Sequence, residues 1–471
     1  MLAGMLNYIL PGGTKIIRVT GYRDECSHEA VYLELFISYF GFIDMKNNIS
    51  IRSIAFAVSV SGCLCGAFAQ TEKANPTLHP FHVPERAIIL TGDTARLSDA
   101  VYAVFYNTEN LMFNDPSVPR FQLVDREGNT IFGVGGVAEG LAYYDFGGSI
   151  NGAGMETYNI PVPNDPSRSS QLGASVSQSS IFMKLARATR IGILSVYIQS
   201  EFNGGSSGHD FNLKQAFVSL AGFTAGLTNT TFSDPAAGIP TIDPQGSPGN
   251  ITAKNILVSY RHQFNPNWSG TMSLEVPQAT ITYSSSSASI KQRVPDIPLN
   301  IQYTWFSGSH IRAAAILRNL TYRNITAGKN KITTGWGVLV AGSASAYDTV
   351  DLLYQAGYGH GIGRYVNDLD LIPSVDGGMK APASFSFTTG VRFKPSKRLL
   401  FSGSYGYCRL YGGETLGNDG FRRSNYGVVN MFYSPITDLQ FGIEYLHGKR
   451  VDQDHSKGSA NRIMAMVKYS F

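Results

Sequence analysis

The sequence predicts an all-β protein: a transmembrane antiparallel β-barrel of about 16 strands with long external loops. Three observations carry that expectation. The final strand, Arg462 to Phe471, alternates Ile463, Ala465, Val467, Tyr469 and Phe471 with Arg462, Met464, Met466, Lys468 and Ser470, and it stops on an aromatic carboxylate. No stretch offers the roughly 18 uncharged apolar residues that a spanning helix needs. Finally, short and long connections between strand candidates follow one another in strict rotation, as tight turns at one end and loops at the other require.

Composition agrees. Of 471 residues only 15% are charged, while 12% are aromatic and 50 are Gly. That is poor in the Lys/Glu surface of a cytosolic enzyme and rich in ring-bearing and turn-forming residues. A net charge of +4 on so long a chain gives no reason to expect nucleic acid as a partner. A membrane protein without an apolar helix must close its backbone hydrogen bonds in a barrel. Outer-membrane lipid is then its surroundings, because the ending Val467, Tyr469, Phe471 is typical of bacterial outer-membrane barrels and is what their assembly machinery engages.

The beginning of the chain reads as an address. From Met45 come Lys46 and Arg52, an apolar core from Ile54 to about Gly66, then Ala67-Phe68-Ala69 before Gln70. A basic start, a short apolar run and an A-x-A site make a secretory signal peptide over 45–69, cleaved after Ala69. Residues 1–44 are then an upstream extension without function. A rival processing site is Val60-Ser61-Gly62-Cys63, with Cys63 lipidated. Cleavage after Ala69 leaves Cys408 as the one cysteine of the mature chain, so no internal disulfide and no cysteine metal site are expected. Residues 70–128 form a periplasmic pre-barrel segment in which Leu97 to Phe113 is a candidate amphipathic helix. The barrel itself is expected over 129–471.

Strand candidates follow from Thr130 onward. Leu299, Ile301, Tyr303 and Trp305 oppose Asn300, Gln302 and Thr304; Phe385, Phe387, Val391 and Phe393 oppose Ser386, Thr388, Gly390 and Arg392. Val350, Leu352, Tyr354, Ala356 and Tyr358 share a face, as do Met272, Leu274 and Val276. Tyr, Phe and Trp gather at segment ends, as in the interfacial belts of lipid-facing strands. Short connections fall at Thr189-Arg190, Phe264 to Asn267, Ser307 to His310, Ser345 to Asp348, Pro395 to Arg398 and Ser434 to Thr437. Between them lie long ones at about 148–171, 203–210, 230–250, 277–296, 320–332, 361–382, 412–421 and 449–459. The third, with four prolines and the acids Asp234 and Asp243, cannot continue a strand.

Catalytic chemistry finds little support. Gly133-Val134-Gly135-Gly136 lacks the helix and the downstream acid of a dinucleotide fingerprint and suits a curved strand better. His79 and His82 lie in a Pro-flanked arm and read as surface histidines, so neither metal nor cofactor is expected. The informative residues are the charges that alternation sends inward: Arg261, opposite in phase to Val258 and Tyr260, and Arg312 and Arg318, opposite to Ile311, Ala313, Ala315 and Leu317. Lys214 joins them on a strand of ambiguous phase, and Arg462 and Lys468 on the last strand. Against them stand Glu201, Glu275 and the loop acids Asp234 and Asp243. Arginines on the wall facing carboxylates on a loop would set up a transverse field that selects ions by sign.

Several stretches together resemble the DcaP-like family of trimeric outer-membrane porins, in the version found in gut Bacteroidetes. They are Pro119-Arg-Phe-Gln-Leu123, Gly128 to Gly136, Tyr197-Ile-Gln-Ser-Glu-Phe202, Leu213-Lys-Gln-Ala216, Gly226 to Asp234, Ile256 to Arg261, Ser434-Pro435, Phe441 to Tyr445 and Gly448-Lys-Arg450. Leu227 and Asn229 stand where the family often has Gln and Trp, and the N-terminal heptads of some members have no counterpart. The resemblance implies a homotrimer, a third loop folded into the lumen, and passive diffusion of small hydrophilic solutes with a preference for anions such as small carboxylates. Arg261, Arg312 and Arg318 would then make a basic wall and Asp234 and Asp243 an acidic lip. A structural or adhesive barrel with a closed lumen, or a barrel enzyme at the outer rim, are the alternatives.

Overall fold

The computed structural model describes residues 97–471, apart from 109–110, 117, 207, 279–280, 284, 306–308, 348, 370–371, 376–377 and 413–416. It also describes the backbone of 7–9, 15–17 and 88–90, and only the backbone of 281–282, 372–375 and 378–379. The chain divides into two units, 1–71 and 72–471. In the first, Asn7–Ile9 pairs antiparallel with Lys15–Ile17. The start at Met45, the A-x-A site at Ala67 and Ala69, Cys63 and the two histidines lie outside the described residues.

The second unit holds a closed barrel. Its sixteen strands are β1 (Thr130–Phe146), β2 (Ser180–Thr189), β3 (Gly192–Gly204), β4 (Asp210–Leu220), β5 (Phe223–Asn229), β6 (Lys254–Gln263), β7 (Trp268–Glu275) and β8 (Ile297–Trp305), then β9 (Ser309–Asn324), β10 (Lys329–Tyr347), β11 (Val350–His360), β12 (Ala383–Ser396), β13 (Leu399–Leu410), β14 (Phe421–Ile436), β15 (Leu439–Asp452) and β16 (Lys457–Ser470). Each pairs antiparallel with its neighbours in the chain, and β16 pairs with β1 from Asn461↔Phe146 to Ser470↔Val137. Closure leaves no edge, so every ladder bond is satisfied without water. Beyond a turn at 176–179 the strand Ser170–Ser175 extends β2 along the upper half of β1.

Alternation in the sequence is alternation across this wall. Ile256 and Val258, 55% and 54% exposed, point outward to lipid, whereas Asn255 and Leu257 beside them are buried within the barrel. Leu299 and Ile301 face out, and Asn300 and Gln302 face in. At the last strand, the backbone of Phe471 exchanges two hydrogen bonds with Gly136, of 2.7 and 2.9 Å. A side chain on Gly136 would sit 2.5 Å from the Phe471 ring, and one on Gly133 2.2 Å from Pro119, so these glycines serve close approach. Below Phe471 the short strand Phe121–Val124 takes over along β1, at Phe121↔Val134 to Val124↔Ile131.

The strand ends depart from expectation at the loop end. The long connections expected at 320–332 and 449–459 shrink to 325–328 and 453–456, because β9, β10, β15 and β16 run on past the lipid-facing zone. There buried residues fall on both faces of a strand, as at Leu320, Thr321 and Tyr322, each no more than 3% exposed, and the period of two disappears from the sequence. The third loop, 230–253, does fold inward: Phe232, Ile242 and Ile251 are each no more than 2% exposed. The pre-barrel segment does not stand apart over its described part. A helix, α1 (Asp99–Tyr106), shorter than the expected 97–113, buries Val101 and Phe105 against Ile131 and Ala186, which point inward from β1 and β2.

Candidate functional site

Two chain segments enter the lumen and define what remains of it. The third loop is held by carboxylates from the wall. Glu275, at the loop end of β7, accepts from Thr230 Oγ1 (2.8 and 2.9 Å), the Thr231 amide (2.9 Å), Asn255 Nδ2 (2.7 Å) and Ser273 Oγ (3.0 Å). Farther round, Glu444 on β15 accepts from the Ile242 amide at 2.7 Å and the Asp243 amide at 2.8 Å. Between these grips, Ser402 and Asn430 both donate to the Pro240 carbonyl at 2.8 Å. Four prolines keep the loop out of a regular ladder, so the wall supplies partners for the amides that its own turns leave open.

The expected acidic lip is therefore not a lip. Asp234 is buried, 2.8 Å from His310 Nε2 and 3.7 Å from Arg312. Burial would raise its carboxyl, but Arg312 and His310 outweigh that and hold it below the ordinary value. Asp243 accepts from the Met155 amide (2.9 Å), the Gln245 amide (3.1 Å) and the Tyr426 hydroxyl (2.9 Å), and burial pushes its carboxyl up. Both carboxylates fasten the loop. Glu275, read from the sequence as a pore-lining acid, does the same.

The expected basic wall divides likewise. Arg318 points inward but is sealed in an ion pair with Asp296 at 3.0 Å, with Gly361 O at 2.7 Å and the Tyr365 ring beneath it. Arg462 is bidentate to Asp145 (2.5 and 3.0 Å) and donates to Ala153 O and Ile150 O, so it ties down the first loop, 147–169. An arginine so deep must spend its donors on fixed acceptors, because an unpaired buried charge is prohibitive. Arg312 is bound to Gln302 and to Ser233 O. With Arg261 it borders a cavity of about 100 Å³ between the third loop and β5–β9, where Arg261 Nη2 lies 3.4 Å from Ser269 Oγ.

The larger space, about 310 Å³, lies between β3–β4 and the third loop. Lys214, Lys254, Glu201, Asp115 and Gln355 line it. Lys214 bridges Glu201 and Asp115, the latter at 3.0 Å. Its ambiguous phase has a structural cause: pairing jumps from Gln199↔Gln215 to Ser200↔Leu213, leaving Lys214 as the extra residue of a β-bulge that turns inward beside Gln215. Lys468 and Glu139 face one another across the β16–β1 seam. Lys254, Asp115 and Glu139 escape sequence reasoning: Lys254 sits at a strand start, Asp115 belongs to a segment with no strand pattern, and Glu139 follows a run of glycines.

A family model described as Porin subfamily matches residues 164–469, nearly the whole barrel. This chain belongs to that family. Among solved structures, the outer membrane channel DcaP of Acinetobacter baumannii superposes with a TM-score of 0.65 at 22% identity, over 73% of this chain and 98% of that one. An anion-selective porin from Comamonas acidovorans gives 0.48 at 12% identity over 73% and 100%, and the Salmonella typhi OmpF complex with daunomycin 0.48 at 9% over 73% and 98%. At such identities the likeness to DcaP is one of fold. No curated protein sequence matches the chain. The barrel is thus that of a bacterial outer-membrane porin.

Proposed function

We propose that this porin passes small hydrophilic solutes by passive electrodiffusion and favours anions such as small carboxylates. The observation that supports the preference is the fate of the acids: Asp234 and Asp243 are spent on fastening the loop and Glu201 and Asp115 on Lys214, while Lys254 borders the larger cavity and Arg261 the smaller one. Fixed positive charge between low-dielectric walls concentrates anions. Reversal potentials in a KCl gradient across a planar bilayer test this. Anion permeability above that of potassium is expected, and a cation preference overturns it.

A second reading has one observation in its favour: the third loop and residues 97–108 and 111–116 occupy the lumen, as a structural barrel with a closed lumen would require. Folded protein that never conducts in bilayers would establish that reading. The assembly is a homotrimer, to be weighed by native mass in detergent. The signal over 45–69 predicts a mature chain beginning at Gln70 in intact-mass analysis, whereas a lipidated Cys63 would add acyl mass.

A further inference from the structure

The turn at 111–116 is built around one carboxylate. The Asp115 amide donates to Met112 O at 3.0 Å, and the Met112 amide donates back to Asp115 Oδ2 at 3.0 Å, so the turn holds its own side chain outstretched. That side chain is fully shielded from solvent. Lys214 Nζ lies 3.0 Å from it and Gln215 Nε2 3.3 Å. Gln215 is oriented from behind, since Thr228 Oγ1 donates to its Oε1 at 3.3 Å. Burial would raise the Asp115 carboxyl, but the charges of Lys214 and Lys254 outweigh it and keep it below its ordinary value. An ammonium, a second ammonium nearby and a fixed amide N–H are what a carboxylate requires.

What holds the turn otherwise is modest. Asn114 Nδ2 donates to Thr241 O at 3.1 Å, Tyr197 OH to Pro116 O at 3.0 Å, and the Phe113 ring lies 5.7 Å from that of Phe432. Upstream, Lys184 Nζ donates to Asn107 O at 3.1 Å. These are neutral or single contacts, weaker than a charge-assisted hydrogen bond except the last. The ion pair at Asp115 is the strongest single tie between this turn and the wall.

We propose that Lys214, Gln215 and Lys254 form a carboxylate-binding site in the lumen, and that Asp115 is its tethered occupant, which a solute carboxylate displaces on its way through. The proposal rests on the anion-favouring reading of the pore. A tethered group acts at an effective concentration on the order of millimolar, so a free carboxylate competes in that range. The segment is then both constriction and gauge: it narrows the lumen in the absence of a carboxylate solute and yields to one.

The test uses the full-length porin, acetate as probe and chloride at the same concentration and pH as control. Hydrogen exchange of the amides of 111–116 is expected to quicken at least ~3-fold in acetate over chloride, because displacement opens the turn. In Asp115→Asn and in Lys214→Met the same amides exchange fast without acetate and do not respond to it. Single-channel conductance in KCl rises in Asp115→Asn. Exchange and conductance unchanged by acetate and by both substitutions overturn the proposal. If wild-type reversal potentials favour anions while acetate does nothing, this site falls and the selectivity stands. If they favour cations while acetate still opens the turn, the selectivity falls and the site stands.

Discussion

Replacing Glu444 by Ala removes the acceptor on which the far end of the third loop hangs. In the wild type its two oxygens take the Ile242 and Asp243 amides at 2.7 and 2.8 Å and Asn430 Nδ2 at 2.8 Å. Asn430 keeps its second acceptor, Pro240 O at 2.8 Å, so the loss falls on the two backbone N–H groups. A buried N–H without a partner costs about 1–3 kcal/mol. The space vacated by the side chain is polar and admits water, which brings the pair to the low side, about 2–3 kcal/mol. At about 1.4 kcal/mol per decade the detached loop becomes roughly 30- to 150-fold more populated. Once off the wall it swings into the cavity lined by Lys214 and Lys254 and obstructs it. Single-channel recordings should therefore show brief closures more often, by up to that factor, at an unchanged open level. Glu444→Gln retains one carbonyl acceptor and should fall between. Closures as rare in Glu444→Ala as in the wild type, from protein folded to the same yield, would refute the idea that the carboxylate fastens the loop.

Three further outcomes follow from the same geometry. Arg462→Met strands Asp145 in the interior and should destabilise the barrel by about 3–5 kcal/mol in denaturant titrations, while Arg462→Met with Asp145→Leu recovers most of the loss. Gly136→Val drives a side chain into the Phe471 ring, which lies 2.5 Å from the position of a Cβ; folded barrel should all but vanish from the membrane fraction, and Phe471→Ala in the same chain should restore part of it. Asp368 joins three loops, accepting from the Thr157 amide (3.0 Å), the Thr157 hydroxyl and Gln245 Nε2 (3.0 Å), and burial pushes its carboxyl up to about 6, with Glu156 adding to the shift. A carboxyl whose folded value lies above its unfolded one weakens the fold as pH rises through the interval between about 4 and 6. Acidification from pH 7 to 4.5 should then slow exchange at the amides near 157 and 368 after correction for intrinsic rates, and Asp368→Asn should abolish the step.

The wall of the barrel was legible because two solvents write it. At Ile256 to Tyr260 or Leu299 to Trp305, every second side chain must satisfy lipid and every other one water, and the period survives in a single sequence. The same logic fails beyond the lipid: Leu320, Thr321 and Tyr322 are all buried, so no alternation marks Thr321 and Lys331, which lie on strands paired at Thr321↔Ile332 and Tyr322↔Lys331. Lys214 shows a subtler failure: a bulge inserts one residue and reverses the phase, and nothing local announces it. The resemblance predicts the inward fold of the third loop but not what its charges do. Asp234 and Asp243 looked like a rim because they sit among Pro and Gly, and only their distant partners His310, Tyr426 and Met155 show that they are fasteners.

The sequence by itself determined the barrel: its closure by Phe471, its strand phases and its rotation of turns and loops, since each follows from residues adjacent or two apart. Tertiary structure alone decided which inward charges meet solute. Arg462 and Asp145 are 317 residues apart in the chain and share one ion pair; Asp115 and Gln215 are 100 apart and share one site. A charge pointed into a lumen either faces water or finds an opposite charge, and that outcome depends on which distant segment folds over it.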